Sequence, residues 1–224
     1  KYKTADGKPT GMPPEEALKA CVAILSGMKH IHAPERNIVH RDIKPSNILT
    51  DGNVFKITDF GLAKSIDPDE DATQLTIDGM MLGTPGYMSP EQANRENANV
   101  GPWTDMYQFG ITACELFTGR PMDEEGEYKS MLKKIGKSDS DPRALMLSHV
   151  KDVSKRHPHY PRNFVPELSE EIERFVMAAC QKKIILRSTD DVALEHATGL
   201  LEHRIFQHPN PYEPLSEEKR KESK

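Results

Sequence analysis

The sequence predicts a mainly helical α+β domain in which one small β-hairpin lies among helices. Apolar residues recur every three or four positions between residues 13 and 32, which indicates one buried face of an amphipathic helix. A second segment, near 104–118 and with Trp103 at its start, carries apolar residues on more than one face, as buried helices do, so we expect these residues in the core. Between them, Asp51-Gly52 separates the apolar stretches 48–49 and 54–57, and such a pair indicates a turn between two strands.

The first helix is predicted over residues 13–32, because proline and glutamate occupy positions 13–16, as they do where helices begin. Its apolar face is formed by residues spaced three or four apart: Leu18, Val22, Leu25, Met28 and Ile31. His30 and His32 lie near the end of this helix. They do not form a metal-ligand set, and we expect helix-end or surface positions for both.

The second half of the chain predicts further helices. After the apolar helix near 104–118, the stretch 119–165 is rich in proline, glycine and charge, and we expect two helices in it, near 127–135 and 142–150. Another helix begins after Ser169, whose side chain is a suitable cap, and a last helix covers about 190–204. Residues 209–224 are polar and predict a mobile tail or linker.

The segment 40–61 holds residues that point to a particular chemistry. A hairpin brings Asn47, just before its first strand, to the same end as Asp59, just after its second. An amide oxygen and a carboxylate that converge there are hard ligands of the kind that Mg²⁺ prefers. Asp42 lies five residues before Asn47 and enters the same end. A metal-binding pair with a third acid that is free to accept a proton is what phosphoryl transfer requires.

Three separated elements of this segment agree in type, order and spacing with eukaryotic-type Ser/Thr protein kinases: His-Arg-Asp at 40–42, Asn47, and Asp-Phe-Gly at 59–61. Downstream, residues 83–91 resemble the substrate-docking loop and the Ala-Pro-Glu motif, with Ser89 in place of Ala. Residues 103–110 resemble the start of the central helix of the kinase large lobe. The wording of 83–92 is similar to bacterial members of the family. The resemblance implies a protein-kinase-like large lobe that uses ATP and Mg²⁺.

The resemblance implies a catalytic role for several matching residues. Asp42 would orient the hydroxyl of a protein Ser or Thr and accept its proton, while Asn47 and Asp59 would hold Mg²⁺ against the phosphates of ATP. Lys44 would contact the transferring phosphate, and its plain alternative is a solvent-exposed loop lysine. The same lysine marks Ser/Thr kinases rather than Tyr kinases in the family.

Other residues acquire supporting roles by the same resemblance. Thr84 would contact the catalytic Asp, or else be an ordinary turn residue. Leu49 would pack under the adenine, or else belong to the strand core. His40 and Phe60 resemble stacked core residues that hold the Asp-Phe-Gly segment. Asp105 would brace the backbone of the catalytic loop, or else cap its helix.

An ion pair is implied between Arg187 and Glu91, the acid of the Ala-Pro-Glu motif. Lys183-Ile184 replaces the Asp-Pro that the family usually has before this arginine. A buried pair of this kind would hold the docking loop in place, and removing one partner would typically cost about 3–5 kcal/mol.

In the family, an arginine directly before the catalytic Asp, here Arg41, is typical of kinases that are controlled by phosphorylation of the activation segment. A phosphate added there could pair with Arg41, with Lys64 as a second partner, and order the loop. By position, Thr73 and Thr76 are the best candidate acceptors, ahead of Ser65.

The resemblance divides the chain into residues 1–12, the end of an interlobe connection, residues 13–208, the kinase C-terminal lobe, and residues 209–224, the polar tail or linker. A complete kinase has an upstream small lobe with a Gly-rich loop, a strand lysine and a helix glutamate. Only 39 residues precede His40, and no Gly-x-Gly occurs among them. We therefore expect the N-terminal lobe to be absent from this chain, to be one of its partners, and to be needed for activity.

The net charge, the apolar runs and the cysteines of the chain limit the classes of partner that we expect. With a net charge of −5, the chain has no general basic surface for nucleic acid or an acidic membrane, so we expect no nucleic acid among its partners. The resemblance to protein kinases implies instead a protein substrate with a Ser or Thr acceptor. No apolar run approaches the roughly 20 residues of a membrane-spanning helix. Cys21, Cys114 and Cys180 are far apart in apolar settings, which is typical of reduced core residues. We expect a cytoplasmic location.

Two other classes of function compete with a protein kinase. One is a non-catalytic, kinase-like interaction module, which the missing small lobe favours and the intact Asp42, Asn47 and Asp59 disfavour. The other is a small-molecule phosphotransferase of related fold. Lys44 and the long activation segment, 59–91, argue against it, because they serve a bulky peptide substrate.

Overall fold

A computed structural model of the chain describes residues 10–52, 54–62, 64–65, 84–94, 96–120 and 160–202. Within these ranges helices dominate: α1 (Pro14–His32), α2 (Pro90–Ala93), α3 (Pro102–Thr118), α4 (Pro161–Phe164), α5 (Glu170–Ala179) and α6 (Asp190–Leu201). The mainly helical α+β class that the sequence predicts is therefore confirmed for the described part of the chain.

Four short strands pair two by two. β1 (Ile38–Val39) lies antiparallel to β4 (Lys64–Ser65), and β2 (Ile48–Thr50) lies antiparallel to β3 (Phe55–Ile57). The second pair is the predicted hairpin. β2 ends at Thr50 and β3 begins at Phe55, and between them the N–H of Val54 donates to Asp51 Oδ1 at 3.0 Å. Val54 thus belongs to the turn and not to the strand stretch in which the sequence placed it.

The helix α1 forms as its sequence indicates. Pro14 occupies the first turn together with Glu15 and Glu16, whose charges suit the positive end of the helix dipole. The buried face contains Leu18, Leu25, Met28 and Ile31 of the predicted set, together with Ala17, Ala20, Cys21 and Ile24, whereas Val22 is only partly buried. This face packs on α3, α6 and β3.

The central helix α3 begins at Pro102, two residues before the predicted start, because a proline is favoured in the first helical turn. It is buried along almost its whole length. Trp103 is the exception: it was expected to be an apolar core residue, but it is 38% exposed, and its Nε1 donates to Asn99 O at 2.6 Å. At Gly110 the helix approaches α5 so closely that a Cβ atom would lie 2.5 Å from Cys180 Sγ.

The helices α5 and α6 complete the core. Ser169 caps α5, since its side chain accepts from the N–H of Ile172 at 3.2 Å, as the sequence predicts. Phe175 of α5 meets Phe109 of α3 edge to face, with the ring centroids 5.9 Å apart. The core cluster joins α1, α3, α5 and α6, so that the loop between β1 and β2 lies against a rigid helical platform.

The cysteines and the apolar character of the helices bear on the remaining sequence predictions. Cys21, Cys114 and Cys180 are buried free thiols, as expected. Across the described ranges, no helix is both long enough and apolar enough to cross a membrane. The helices predicted near 127–135 and 142–150, the tail 209–224, and the candidate acceptors Thr73 and Thr76 lie outside the described residues.

Candidate catalytic site

The loop that leads into the hairpin is held by a polar stripe on the central helix. Asp105, Gln108 and Thr112 are spaced three and four residues apart, so they share one face of α3, and all three are buried. Asp105 accepts from the backbone N–H groups of His40 and Arg41, both at 2.7 Å. Its carboxylate therefore braces the catalytic loop, and the alternative role as a cap of its own helix is wrong.

The next residue of the stripe continues the same contact. Gln108 accepts from the N–H of Ile43 at 2.8 Å and donates to Arg41 O at 2.8 Å, so that one amide grips the backbone on both sides of Asp42. Thr112 donates to Ile43 O at 3.3 Å. These bonds satisfy buried backbone groups that would otherwise cost about 1–3 kcal/mol each.

The carboxylate of Asp42 is nearly buried and has three neighbours from different parts of the site. Lys44 Nζ lies 2.6 Å from Oδ2, and Thr84 Oγ1 donates to Oδ1 at 3.0 Å. Lys44 Nζ also donates to Thr84 Oγ1 at 2.5 Å. Lys44 is thus no free loop lysine and Thr84 no ordinary turn residue, because both contact Asp42.

Asn47 contacts Asp42 through its amide nitrogen. Its Nδ2 donates to Asp42 O at 2.8 Å and to Asp42 Oδ2 at 3.0 Å, which directs the amide oxygen away from Asp42. The hairpin register continues below it, since the N–H of Thr58 donates to Asn47 O at 2.9 Å and thereby brings Asp59 to the same end. The carboxylate of Asp59 and the amide oxygen of Asn47 are hard oxygen donors, so the donor chemistry fits Mg²⁺.

Two residues of this site have left-handed backbone conformations. Arg41 has φ of 69° and Asp59 has φ of 62°. Such conformations cost of order 1–3 kcal/mol for residues other than glycine and cluster at functional sites. At Arg41 the two Asp105 and Gln108 contacts described above hold the strained turn, and so aim the next residue, Asp42, at the site.

His40 supports the loop from inside, whereas Phe60 does not lie in the core as predicted. His40 is fully buried, accepts from the N–H of Asp42 at 3.3 Å and contacts Thr58 O through Nε2 at 3.0 Å. The two rings are not stacked but meet edge to face, with centroids 4.9 Å apart. Phe60 is 44% exposed.

Leu49 projects from the hairpin into open space. It is 59% exposed, so the alternative that it belongs to the strand core is wrong. Phe60, which follows Asp59 in the chain, is a second large apolar residue that is partly exposed. Exposed apolar side chains close in the chain to these oxygen donors suit contact with the flat face of a nucleotide base.

The ion pair between Glu91 and Arg187 is present and fully buried. Arg187 contacts both carboxylate oxygens, with Nη1 to Oε1 at 2.6 Å and Nη2 to Oε2 at 2.9 Å. The other three N–H donors of the guanidinium go to backbone oxygens of Trp103, Gln181 and Lys182. Because all five donors have partners, the charge is well compensated despite its burial.

Glu91 is tuned by this setting. Burial by itself would raise its pKa, but the hydrogen bonds and the charge of Arg187, with a further bond from Thr104 Oγ1, hold the pKa below its ordinary value. Glu91 therefore stays ionised at neutral pH. It anchors α2 to α3 through Thr104 and to the loop before α6 through Arg187.

The side chain of Arg41 is half-buried, and its Nε has no hydrogen-bond partner among the described residues. Burial lowers the pKa of this guanidinium, and the nearby charge of Asp105 opposes that shift. A buried donor of this kind has capacity for an additional acceptor.

Sequence reasoning missed three residues of this network. Gln92 donates to Arg41 O at 2.9 Å and accepts from Gln108 Nε2 at 2.9 Å, which joins α2 to the catalytic loop. The signal for Gln108 was available, because it continues the spacing of Asp105 and Thr112 on an otherwise apolar helix. No comparable pattern marks Gln92.

The third missed residue is His32. It lies at the end of α1, as the prediction of a helix-end or surface position allows, but its side chain is buried, whereas His30 is exposed. The side chain of His32 is 5% exposed and lies between two carboxylates, with Nε2 at 2.8 Å from Asp105 and Nδ1 at 2.5 Å from Asp190. Its spacing of four from Met28 on the buried face of α1 was the signal that could have located it.

Comparison with known proteins agrees with this geometry. The family model of the protein kinase domain matches residues 3–205. A probable serine/threonine-protein kinase PknB of Lactococcus lactis subsp. lactis (strain IL1403) is 34% identical over 178 residues, which cover 79% of this chain and 24% of that protein. The serine/threonine-protein kinase PrkC of Bacillus subtilis (strain 168) is 42% identical over 137 residues, 60% of this chain and 19% of PrkC.

A plant protein is similar as well: the LRR receptor-like serine/threonine-protein kinase ERL2 of Arabidopsis thaliana is 38% identical over 138 residues, 60% of this chain and 13% of ERL2. The chain spans about a quarter or less of the length of these curated relatives. The range that the family model matches, residues 3–205, includes both the loop around Asp42 and the buried Glu91–Arg187 pair. The chain belongs to the protein kinase domain family, in its eukaryotic-like Ser/Thr branch.

Proposed function

We propose that this chain is the catalytic lobe of a Ser/Thr protein kinase and transfers the γ-phosphate of ATP to hydroxyl groups of protein Ser and Thr residues. The setting of Asp42 carries the proposal. Its carboxylate is contacted by Lys44 and Asn47, at the two ends of one short 3₁₀ turn, and by Thr84 from a distant segment. A carboxylate that is held by several donors offers its remaining lone pair in one defined direction, as a general base should.

The hydrogen bonds indicate where the substrate hydroxyl binds. A carboxylate has about four acceptor positions, two on each oxygen. Lys44 and Asn47 use those of Asp42 Oδ2, and Thr84 uses one on Oδ1. The remaining position on Oδ1 accepts the proton of the substrate hydroxyl. At the same time the hydroxyl oxygen forms a bond to the γ-phosphorus of ATP, and the bond between that phosphorus and the leaving ADP breaks.

Asn47 and Asp59 are the residues that would hold Mg²⁺, which offsets the negative charge of the phosphates and of the transferring group when it is bound. Asn47 is pre-oriented for this, because both hydrogens of its amide are used on Asp42 and its oxygen is left for the ligand. Lys44, between Asp42 and Thr84, supplies a further positive charge close to the acceptor hydroxyl.

A separate small lobe is proposed to complete the nucleotide site. The exposed Leu49 and Phe60 support this, because both lie close in the chain to the candidate ligands Asn47 and Asp59, where a second lobe or the nucleotide would cover them. We expect this chain by itself to bind Mg-ATP weakly and to transfer little phosphate. Calorimetry that detects tight binding of ATP by the 224 residues alone would contradict this part of the proposal.

Regulation by phosphate is proposed at Arg41. Its unpartnered, half-buried Nε supports a role as phosphate ligand, and Thr73 and Thr76 are the candidate acceptors on the activation segment. Mass spectrometry of active protein should detect phosphate between residues 62 and 84. Active protein without phosphate in that range would count against the proposal.

The protein substrate would dock against the segment that begins at Thr84 and ends at Glu91, which the buried pair with Arg187 keeps in place. We propose a cytoplasmic location, since the three cysteines are free thiols and the reaction uses ATP.

The test is phosphate transfer from labelled ATP to a generic basic protein. It compares this chain, the longest product that the gene encodes, and the Asp42→Asn variant of that product. Transfer by the long product, and none by its variant, supports the kinase. If no version transfers phosphate to protein, sugars or antibiotics, the non-catalytic interaction module replaces the kinase as the best interpretation.

A further inference from the structure

The ring of His32 joins two helices that are far apart in the sequence. It lies at the end of α1, and its side chain is 5% exposed. Nε2 is 2.8 Å from Asp105 Oδ2 at the start of α3, and Nδ1 is 2.5 Å from Asp190 Oδ2 at the start of α6. Both ring nitrogens thus face carboxylate oxygens inside the protein.

The number of donors fixes the charge of this ring. A neutral imidazole has one N–H donor and one acceptor nitrogen, whereas an ionised carboxylate only accepts. Both short contacts are hydrogen bonds at the same time only when His32 is an imidazolium with two N–H groups. Loss of one proton would set a lone pair of the ring against a carboxylate oxygen at 2.5–2.8 Å.

The surrounding charges agree with an imidazolium. Asp105 from α3 and Asp190 from α6 contact the ring. Other titratable residues close to these three groups in the chain, or bonded to them, are Asp191, Lys29, His30, His40 and Arg41. Lys29 is exposed and pairs with Asp191, also exposed, at 2.5 Å, and the Arg41 charge lies near Asp105. Burial lowers the pKa of His32, but the bonds to Asp105 and Asp190 and their charges outweigh it and raise the pKa to about 9.

The contact with Asp105 connects this ring to the catalytic loop. The same Oδ2 atom that meets His32 accepts from the N–H of His40 at 2.7 Å, and Oδ1 accepts from the N–H of Arg41 at 2.7 Å. Asp42 is the next residue in the chain. A carboxylate that holds two backbone groups and one ring keeps its orientation only as long as all three donors stay in place.

We propose that His32 is a positioning residue for the catalytic base: as an imidazolium between Asp105 and Asp190 it fastens the last helix to the carboxylate that sets the loop before Asp42. The part of this inference that concerns catalysis rests on the proposed kinase function, whereas the link between the helices does not. Deprotonation of His32 loosens Asp105, and with it the two backbone bonds at residues 40 and 41.

The first test uses NMR and needs no activity. The ring ¹⁵N shifts of His32 are titrated from about pH 6 to about pH 10, together with the amide exchange of His40 and Arg41, corrected for the intrinsic pH dependence of exchange. We expect His32 to titrate well above its ordinary value of 6.5, and protection of the two amides to fall about tenfold or more over the same range.

The matched variants are Asp190→Asn and Asp191→Asn. Each removes one negative charge from the first turn of α6, but only residue 190 contacts the ring. Because an amide can face either a donor or an acceptor nitrogen, Asp190→Asn should lower the pKa of His32 and make the protection of residues 40 and 41 independent of pH. Asp191→Asn should leave both properties as in the wild type.

The second test measures the pH profile of phosphate transfer by the longest product of the gene. The wild type and Asp191→Asn should lose kcat as His32 deprotonates, with KM for ATP little changed, while Asp190→Asn keeps its kcat in that range. Titration of His32 near or below 6.5, or amide protection that ignores its titration, overturns the proposal. If the NMR results are as expected but no version transfers phosphate, the helix link stands and the proposed kinase function fails.

Discussion

At the scale of single residues, the site depends on where Asp42 points. Its carboxylate has three defined donors, and its backbone is gripped on both sides by Gln108. The left-handed conformation of Arg41, the residue before it, costs free energy, and these contacts hold it in place. The position of Asp42 and the strained backbone at Arg41 therefore depend on the same few hydrogen bonds.

The variant Asp42→Asn should abolish phosphate transfer without unfolding the chain. Asparagine keeps the shape of the side chain and can still bond to Thr84, but it cannot accept a proton. We expect kcat to fall by about 10²–10⁴-fold, as is typical of losing a general base. The measurement is transfer of labelled phosphate by the longest product of the gene.

The control for this variant is Asp51→Asn at the opposite end of the same hairpin, where asparagine also suits the turn. It should leave kcat and the unfolding midpoint nearly unchanged. Equal losses in both variants would mean that the hairpin as a whole, and not the carboxylate of Asp42, is required.

The variant Gln108→Met tests whether the buried amide positions the catalytic loop. Methionine has a similar volume but none of the hydrogen bonds to Ile43 and Arg41, so the N–H of Ile43 loses its partner, whereas Arg41 O keeps only the bond from Gln92. We expect a loss of about 1–3 kcal/mol in unfolding free energy and at least about tenfold in kcat. Urea unfolding and steady-state kinetics provide both values.

Gln181→Met is the matched control, because Gln181 bonds through Nε2 only to Met177 O within its own turn, away from the loop. It should affect kcat little. A Gln108→Met variant that loses stability but retains full kcat would show that the amide stabilises the fold without positioning Asp42.

At the scale of elements, the structure joins segments by charged contacts between helix starts and loops. The polar stripe of α3 meets the loop before β2, and the α2 helix is tied to the segment before α6 by the Glu91–Arg187 pair. Glu91 lies in the first turn of α2, whereas the stripe extends from the first turn of α3 to its middle. Helices that already pack through apolar faces thus gain defined positions along their axes from a small number of polar bonds.

The variant Arg187→Ala should destabilise the chain by about 3–5 kcal/mol, because it leaves Glu91 charged and buried without its partner. The control, Arg174→Ala, removes an arginine whose pair with Glu170 is exposed, and should cost no more than about 1 kcal/mol. Urea unfolding of both variants measures the difference. Similar losses would mean that residues 84–91 relax and so compensate for the loss of the buried pair.

At the scale of the whole molecule, two buried ionisable groups set opposite ends of the pH range of stability. The pKa of Glu91 is held below its ordinary value, so its contribution is present above 4.5 and is lost as pH falls through its folded pKa. The pKa of His32 is raised, so its contribution is complete below 6.5 and is lost as pH rises to about 9. Stability should therefore be greatest between these limits.

The alkaline side gives a specific prediction. Between pH 6.5 and about 9 the unfolding free energy of the wild type should fall, by of order 3 kcal/mol if His32 alone contributes. The variant His32→Gln cannot change its charge, so its stability should be lower at pH 6.5 and nearly constant up to pH 9. Urea unfolding at several pH values checks this. Parallel curves for the two proteins would contradict it.

Much of this protein is determined by local patterns in its sequence. The start of α1 and its buried face, the hairpin at Asp51-Gly52, the cap at Ser169 and the central helix all follow from spacing, turn chemistry and capping, which involve only neighbouring residues. The catalytic motifs are equally local, since Asp42, Asn47 and Asp59 lie within one hairpin unit. Their convergence could therefore be predicted before any tertiary contact was known.

What only the tertiary structure decided are the properties that depend on a partner from another element. His32 was predicted at a helix end or at the surface; it does end α1, but its side chain is buried because α3 and α6 each place a carboxylate against it. Phe60 and Trp103 were predicted inside but are partly exposed, because no described element covers their outer faces. Burial and charge of a side chain depend on what packs against it, and that information lies in distant parts of the chain.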